Sequence, residues 1–214
     1  MGSSTDPLKV SWSGLIESIQ SRIRLLRSLD QREHNYLGYN LRIKGQIGGN
    51  TGEFIVAVGP GAQDKHKFRV GFRLAAVSTT IPDTRMEIAG HYKTSGIKIL
   101  ENPPDSIPDG PPFFGIPPSL EIYRERGHLR LDSRTYDSKC TTCIWGCRMP
   151  VEMIIDHWNP SQVKYRLETF CYGPKSCRFY KAGPLRQVPG RRGMSYTEED
   201  WVDEQETAHR GKDE

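Results

Sequence analysis

The sequence predicts a mainly β protein with one helix at its N-terminus and a small cysteine-bearing hairpin in its second half. Three observations point there. One stretch, Ser13 to Leu29, carries apolar residues at helical spacing; short apolar runs separated by glycine-rich turns fill residues 36 to 100; all five cysteines lie between Cys140 and Cys177. At 214 residues the chain can bury one ordinary core or two small ones, the second needing a staple. Its 36% hydrophobic and 26% charged fractions are those of a soluble globular protein. Mean hydropathy of -0.62 and the many glycines and prolines favour turns over long helices.

The first element, within residues 1–35, reads as an amphipathic helix: Leu15, Ile19, Ile23 and Leu26 recur at helical spacing, supported by Ile16 and Leu29. Its polar face would carry Arg22, Arg24 and Arg27 into solvent.

From Tyr36 the pattern becomes strand-like. YLGYNLRIKGQIGGNTGEFIVAVG places two apolar runs around the turn Gly48-Gly49-Asn50-Thr51-Gly52, which is a hairpin. FRVGFRLAAVSTTI follows, and MEIAGHYKTSGIKIL supplies two more short strands around Ala89 and Ile97. Five strands with a glycine-bearing first hairpin and a closing GIKIL strand resemble the OB-fold barrel over residues 36–100. That resemblance implies a ring of strands that holds single-stranded nucleic acid by stacking bases on aromatics while cations track the phosphates.

Residues 101–118, ENPPDSIPDGPPFFGIPP, read as a linker, because proline lacks the amide donor that a helix or central strand needs. Phe113 and Phe114 are expected to pin it against a neighbouring unit. Ser119 then fits the N-cap of a short helix with Glu121 in its first turn.

Residues 119–185 form the cysteine unit. The order is Cys140-x2-Cys143-x3-Cys147, then, after 23 residues, Cys171-x5-Cys177. VEMIIDHW and VKYRLETFCY read as strands joined by the turn Asn159-Pro160-Ser161-Gln162, so a hairpin returns Cys171 and Cys177 to Cys140 and Cys143. Four thiolates can then meet around one ion. Residues 138 to 180 resemble a zinc ribbon, with zinc held by Cys140, Cys143, Cys171 and Cys177, and Cys147 as an alternate or extra ligand. A hairpin of this size buries too little apolar surface to fold alone, and structural zinc contributes on the order of 10 kcal/mol. An iron-sulfur cluster shielded by Trp145 and Trp158 is the alternative, and unmetallated thiols are the third. His157 reads as a surface residue near the hairpin tip.

Phosphate-loop, metalloprotease, nucleophile-elbow and dinucleotide motifs are absent from the sequence, and the six histidines are scattered, which points away from an enzyme. From Ser195 onward eight acidic residues face Arg210 and Lys212, leaving about +10 on residues 1–194 out of a total of +4. A basic body of this kind is expected to bind single-stranded DNA or RNA. Strand parity turns Leu41 and Ile43 inward and Arg42 and Lys44 outward. Lys65, Lys67, Phe68, Arg69 and Arg73 form a mixed basic and aromatic run, Tyr92 and Lys93 lie near the fifth strand, and Arg191 and Arg192 sit in a glycine-rich stretch. Residues 186–214 read as a basic then acidic flexible tail, with a protein partner expected around Trp201. An iron-sulfur redox or sensor protein, or an accessory subunit of an enzyme complex, are the alternatives in function. No apolar run is long enough for a membrane span, and the N-terminus lacks the pattern of an export signal, so the expected compartment is the cytoplasm.

Overall fold

The computed structural model describes residues 7–28, 32–103, 110–156, 158–198 and 200–211. The segment expected to be helical is instead a 19-residue strand, β1 (Lys9–Arg27). Trp12, Gly14, Ile16 and Ser18 are buried, and then the parity switches, so that Ile19, Ser21, Ile23, Leu25 and Arg27 are buried. The switch follows a register shift between Ile16 and Ser18 that inserts Glu17 as a bulge. Small or polar inner residues and a mid-strand change of parity together imitate helical spacing.

β1 pairs antiparallel along its length with β2 (Arg32–Ile47), which turns at Gly48-Gly49 into β3 (Asn50–Val58). Gly14 and Gly45 face each other where β1 and β2 cross closely; a Cβ on Gly45 would lie 2.1 Å from Ser13 O. A short helix, α1 (Pro60–His66), leads to β4 (Arg73–Thr80), which pairs with β1 on its other edge and with β5 (His91–Glu101). β3 touches β5 in parallel at Val56 and His91, so five strands close into a ring in the order β1-β2-β3-β5-β4. The ring thus includes β1, outside the 36–100 span expected for it, and MEIAGHYKTSGIKIL supplies one strand rather than two. β5 is irregular: Lys93 and Gly96 take left-handed backbone angles, the ladder slips register, and Ile99 and Leu100 are exposed.

The remaining elements extend the same sheet. α2 (Leu120–Arg126) begins after Ser119 and is followed by β6 (Leu129–Arg130), α3 (Ser133–Thr135) and a π turn at Tyr136–Cys140. β7 (Gly146–Ile154) and β8 (Val163–Cys171) form the expected antiparallel hairpin. β7 then runs parallel to the end of β1, with Leu25 opposite Val151. One buried cluster joins Ile16, Ile19 and Leu41 of the ring to Cys147, Met149 and Phe170 of the hairpin. The hairpin therefore has an apolar core shared with the ring, and a metal is not its sole core. Phe113 packs against the cysteine unit and Pro118 O accepts from Tyr39 Oη at 2.6 Å, so the described part of the proline-rich segment binds both halves together.

Arg27, expected in solvent, is 1% exposed and lies 2.8 Å from Glu168 and 3.2 Å from Glu198. Arg22 and Arg24 both pair with the buried Glu87. The C-terminal segment is not a free tail. β9 (Gln187–Pro189) and β10 (Ser195–Thr197) form a ribbon, and α4 (Asp200–Thr207) sends Asp203 to Arg130 at 2.5 Å while Arg210 is buried against Arg126 O and Gly173 O. Among the described residues no helix is long and apolar enough to cross a membrane.

Two histidines pack at a tilt beside the Arg27 network, His34 and His128, with ring centroids 4.8 Å apart. Burial first, and then Arg32 and Arg27, lower His34 to about 4; burial first, and then His34 and the neighbouring arginines, hold His128 well below its usual value. The unfolded chain binds more protons than the folded one below the ordinary histidine pKa, so stability is complete near pH 7 and is lost as pH falls from about 6.5 towards 4. Urea midpoints measured across that range should fall with pH, and His34→Gln should flatten the fall.

Candidate metal centre

Four of the five thiols are delivered to one place by three local devices. In the first, Asp132 caps α3 by accepting from Thr135 N at 2.9 Å, and the π turn carries Cys140 inward. Tight turns follow, with Cys143 N donating to Cys140 O and Gly146 N to Cys143 O, each at 3.1 Å. Gly146 has to be glycine: a Cβ there would lie 2.6 Å from Cys140 O and 2.9 Å from Gln20 Nε2. In the second, Cys171 ends β8 opposite Gly146, and Gly173 N donates to its Sγ at 3.3 Å. In the third, a turn from Pro174 closes with Cys177 N donating to Pro174 O at 3.1 Å.

Gln20, from the outer row of β1, locks the first device to the ring. Its Nε2 donates to Cys140 O at 2.8 Å and Cys143 O at 3.0 Å, while its Oε1 accepts from Tyr136 Oη at 2.6 Å. Cys140, Cys143, Cys171 and Cys177 line one pocket together with Phe113 and Trp145. The cavity between them is about 20 Å³, room for roughly one water-sized body. Among the described residues no three His, Cys, Asp or Glu side chains are gathered tightly enough to hold an ion as they stand.

Burial first, and then the neighbouring thiols, push Cys140 and Cys171 up to about 12, with the Gly173 N–H opposing the rise at Cys171. Burial also raises Cys143, opposed by the backbone N–H groups of Trp145, Phe113 and Gly146 that point at its sulfur. Amides are thus oriented towards two of the sulfurs, Cys143 and Cys171, an arrangement that stabilises thiolate ligands where a metal is bound. All five cysteines are free of disulfides.

Cys147 is elsewhere. As the neighbour of Gly146 on β7 it points to the opposite face, fully buried in the main core with its Sγ 3.5 Å from Ser21 O. Burial pushes its thiol up to about 12, and none of the other cysteines contributes to that shift. The role of alternate or extra ligand is thus corrected by strand alternation. Trp145 lines the pocket, whereas Trp158 is 84% exposed at the hairpin tip and shields nothing there. His157 lies outside the described residues.

The cationic residues singled out in the sequence do not share one surface. Leu41 and Ile43 are fully buried and Arg42 and Lys44 alternate with them on β2, facing Glu53 at 3.6 Å and Glu17 at 3.9 Å. Lys65 and Lys67 lie on and after α1, with Lys67 3.6 Å from Asp64. Phe68 is fully buried against Phe72 and beneath His66, which removes it as a stacking platform. Arg69 is half-buried before β4, and Arg73 pairs with Glu101 at 3.2 Å. Tyr92 and Lys93, stacked on each other at 5.1 Å, occupy the far end of the β4–β5 ladder from Arg73. Arg191 reaches Asp156 at 3.5 Å, beside exposed Arg192. Trp201 is 60% exposed on α4.

Gln20 was hidden in the sequence because the strand carrying it imitates a helix; Gly146, three residues after Cys143, was the available signal of a tight turn. Gln20→Ala leaves two backbone carbonyls and the Tyr136 hydroxyl without their partner, so equilibrium denaturation should show a loss of about 1–3 kcal/mol. The chain matches no family model, no curated protein and no solved structure.

Proposed function

We propose that the chain is a non-catalytic, zinc-stabilised protein that binds single-stranded nucleic acid on the outside of its five-stranded ring, in a reducing compartment such as the cytoplasm. The observation that carries the binding reading is the closure of the ring with β2 alternating between core and cation: Leu41 and Ile43 in, Arg42 and Lys44 out. Such a ring resembles the OB-fold, in which the face of the second and third strands takes oligonucleotides. The carboxylates near Arg42 and Lys44 are partly exposed and distant enough to be displaced by phosphate.

The metal reading rests on the shared pocket of Cys140, Cys143, Cys171 and Cys177. Four thiolates delivered by short turns at the two ends of a hairpin are a donor set that structural zinc takes. Bound zinc would tie the α3–β7 turn to the end of β8 and the turn after it, contributing stability rather than chemistry. Metal binding would require the four sulfurs to draw closer together than they stand.

Elemental analysis of anaerobically purified protein should give about one zinc per chain, in a colourless preparation. Cys140→Ser and Cys171→Ser should lose the metal and Cys147→Ser should keep it; folded protein with neither zinc nor iron would end the metal reading, and a brown, iron-containing one would replace zinc by a cluster. For binding, anisotropy of a labelled oligothymidylate should show salt-dependent affinity that falls at least ~10-fold in R42E/K44E, with the salt slope reduced by about 1–2. Absence of binding at low salt would remove the nucleic-acid reading.

A further inference from the structure

At the far end of the β7–β8 hairpin Trp158 leaves 84% of its surface in solvent, an unusual fate for the largest apolar side chain. It lines a groove with Met194, itself 52% exposed, and Tyr196. The groove continues into a wider cavity of about 630 Å³ lined by Lys164, Arg191 and Arg192, the two parts sharing Asp156, Gly190 and Arg191. That volume is in the range of small-molecule sites.

Charge and backbone geometry there both favour an anion. Against three cations stands Asp156, already held by Arg191 at 3.5 Å and by Trp158 N at 3.0 Å. Arg191 is helical and Arg192 turns left-handed, with φ 55 and ψ 34, a succession whose backbone N–H groups form an anion-accepting concavity. A flat, uncovered indole beside an anion-accepting turn matches a ligand that has both a planar ring and a phosphate. A peptide of acidic residues alone supplies the charge but no ring to stack.

We propose that this groove is a binding site for a nucleotide unit, its base stacked on Trp158 and its phosphate held by Lys164, Arg191 and Arg192. The site shares no residue with the β2 face and does not rest on the ring-binding reading. The unit has two sources, a free nucleotide or a single strand.

The test follows intrinsic tryptophan fluorescence of the full-length, metal-replete chain during titration with thymidine 5′-monophosphate, thymidine, inorganic phosphate, a polyglutamate peptide, and oligothymidylate with and without a 5′-phosphate. Thymidine monophosphate should quench, with thymidine and phosphate each at least ~10-fold weaker. K164E/R192E, on exposed residues, should weaken the nucleotide ~10-fold or more; Trp158→Phe should abolish the quench while calorimetry still detects weakened binding. R42E/K44E should leave the mononucleotide titration unchanged, which keeps failure of the ring reading separate. Equal affinity for the mononucleotide and the 5′-phosphorylated strand supports the site with a free or terminal nucleotide, and tighter binding of the unphosphorylated strand supports it with an interior one. Absence of quenching at millimolar nucleotide, quenching unchanged in K164E/R192E, or equal quenching by polyglutamate would overturn the proposal.

Discussion

The guanidinium of Arg27 has to be neutralised where it stands, because at 1% exposure it has no access to bulk water. Its carboxylates come from two other parts of the chain, Glu168 on β8 and Glu198 after β10. Arg166, Arg186 and Arg32 crowd the same two acids. One interaction therefore requires the end of the ring's first strand, the middle of the hairpin and the stretch between β10 and α4 to be together. A buried pair adds little net stability but makes any arrangement lacking a partner costly, so its effect is to fix which surfaces meet.

The sequence was most legible where the determinants are local. The β2–β3 turn is written in Gly48 and Gly49, which adopt the left-handed angles the turn needs, and the β7–β8 hairpin is written in Asn159 to Gln162 between two apolar runs. The convergence of Cys140 and Cys143 with Cys171 and Cys177 follows from that hairpin. Illegible were the features set by partners distant in sequence. β1 hides its period of two behind a bulge and behind Gly14, Ser18 and Ser21, buried residues that carry no apolar side chain to mark the inner face. The docking of α4 depends on Asp203 finding Arg130, 73 residues away, and an acidic run alone reads as solvated.

The thiol pocket and the shared core occupy opposite faces of β7, and adjacent residues divide the work: Gly146 opens the pocket and Cys147 fills the core. The hairpin consequently draws on ring packing as well as on its thiols. A disturbance at the pocket would reach first the turns that Gln20 holds, and only secondarily the sheet.

Among the described residues β5 pairs with β3 only at His91 and shows Ile99 and Leu100 to solvent, a combination that invites a neighbouring molecule to continue the sheet. Its left-handed kinks at Lys93 and Gly96 break the even spacing of amide and carbonyl groups that such a continuation would copy. An edge interrupted in this way is a poorer template for a second chain than an evenly spaced strand would be.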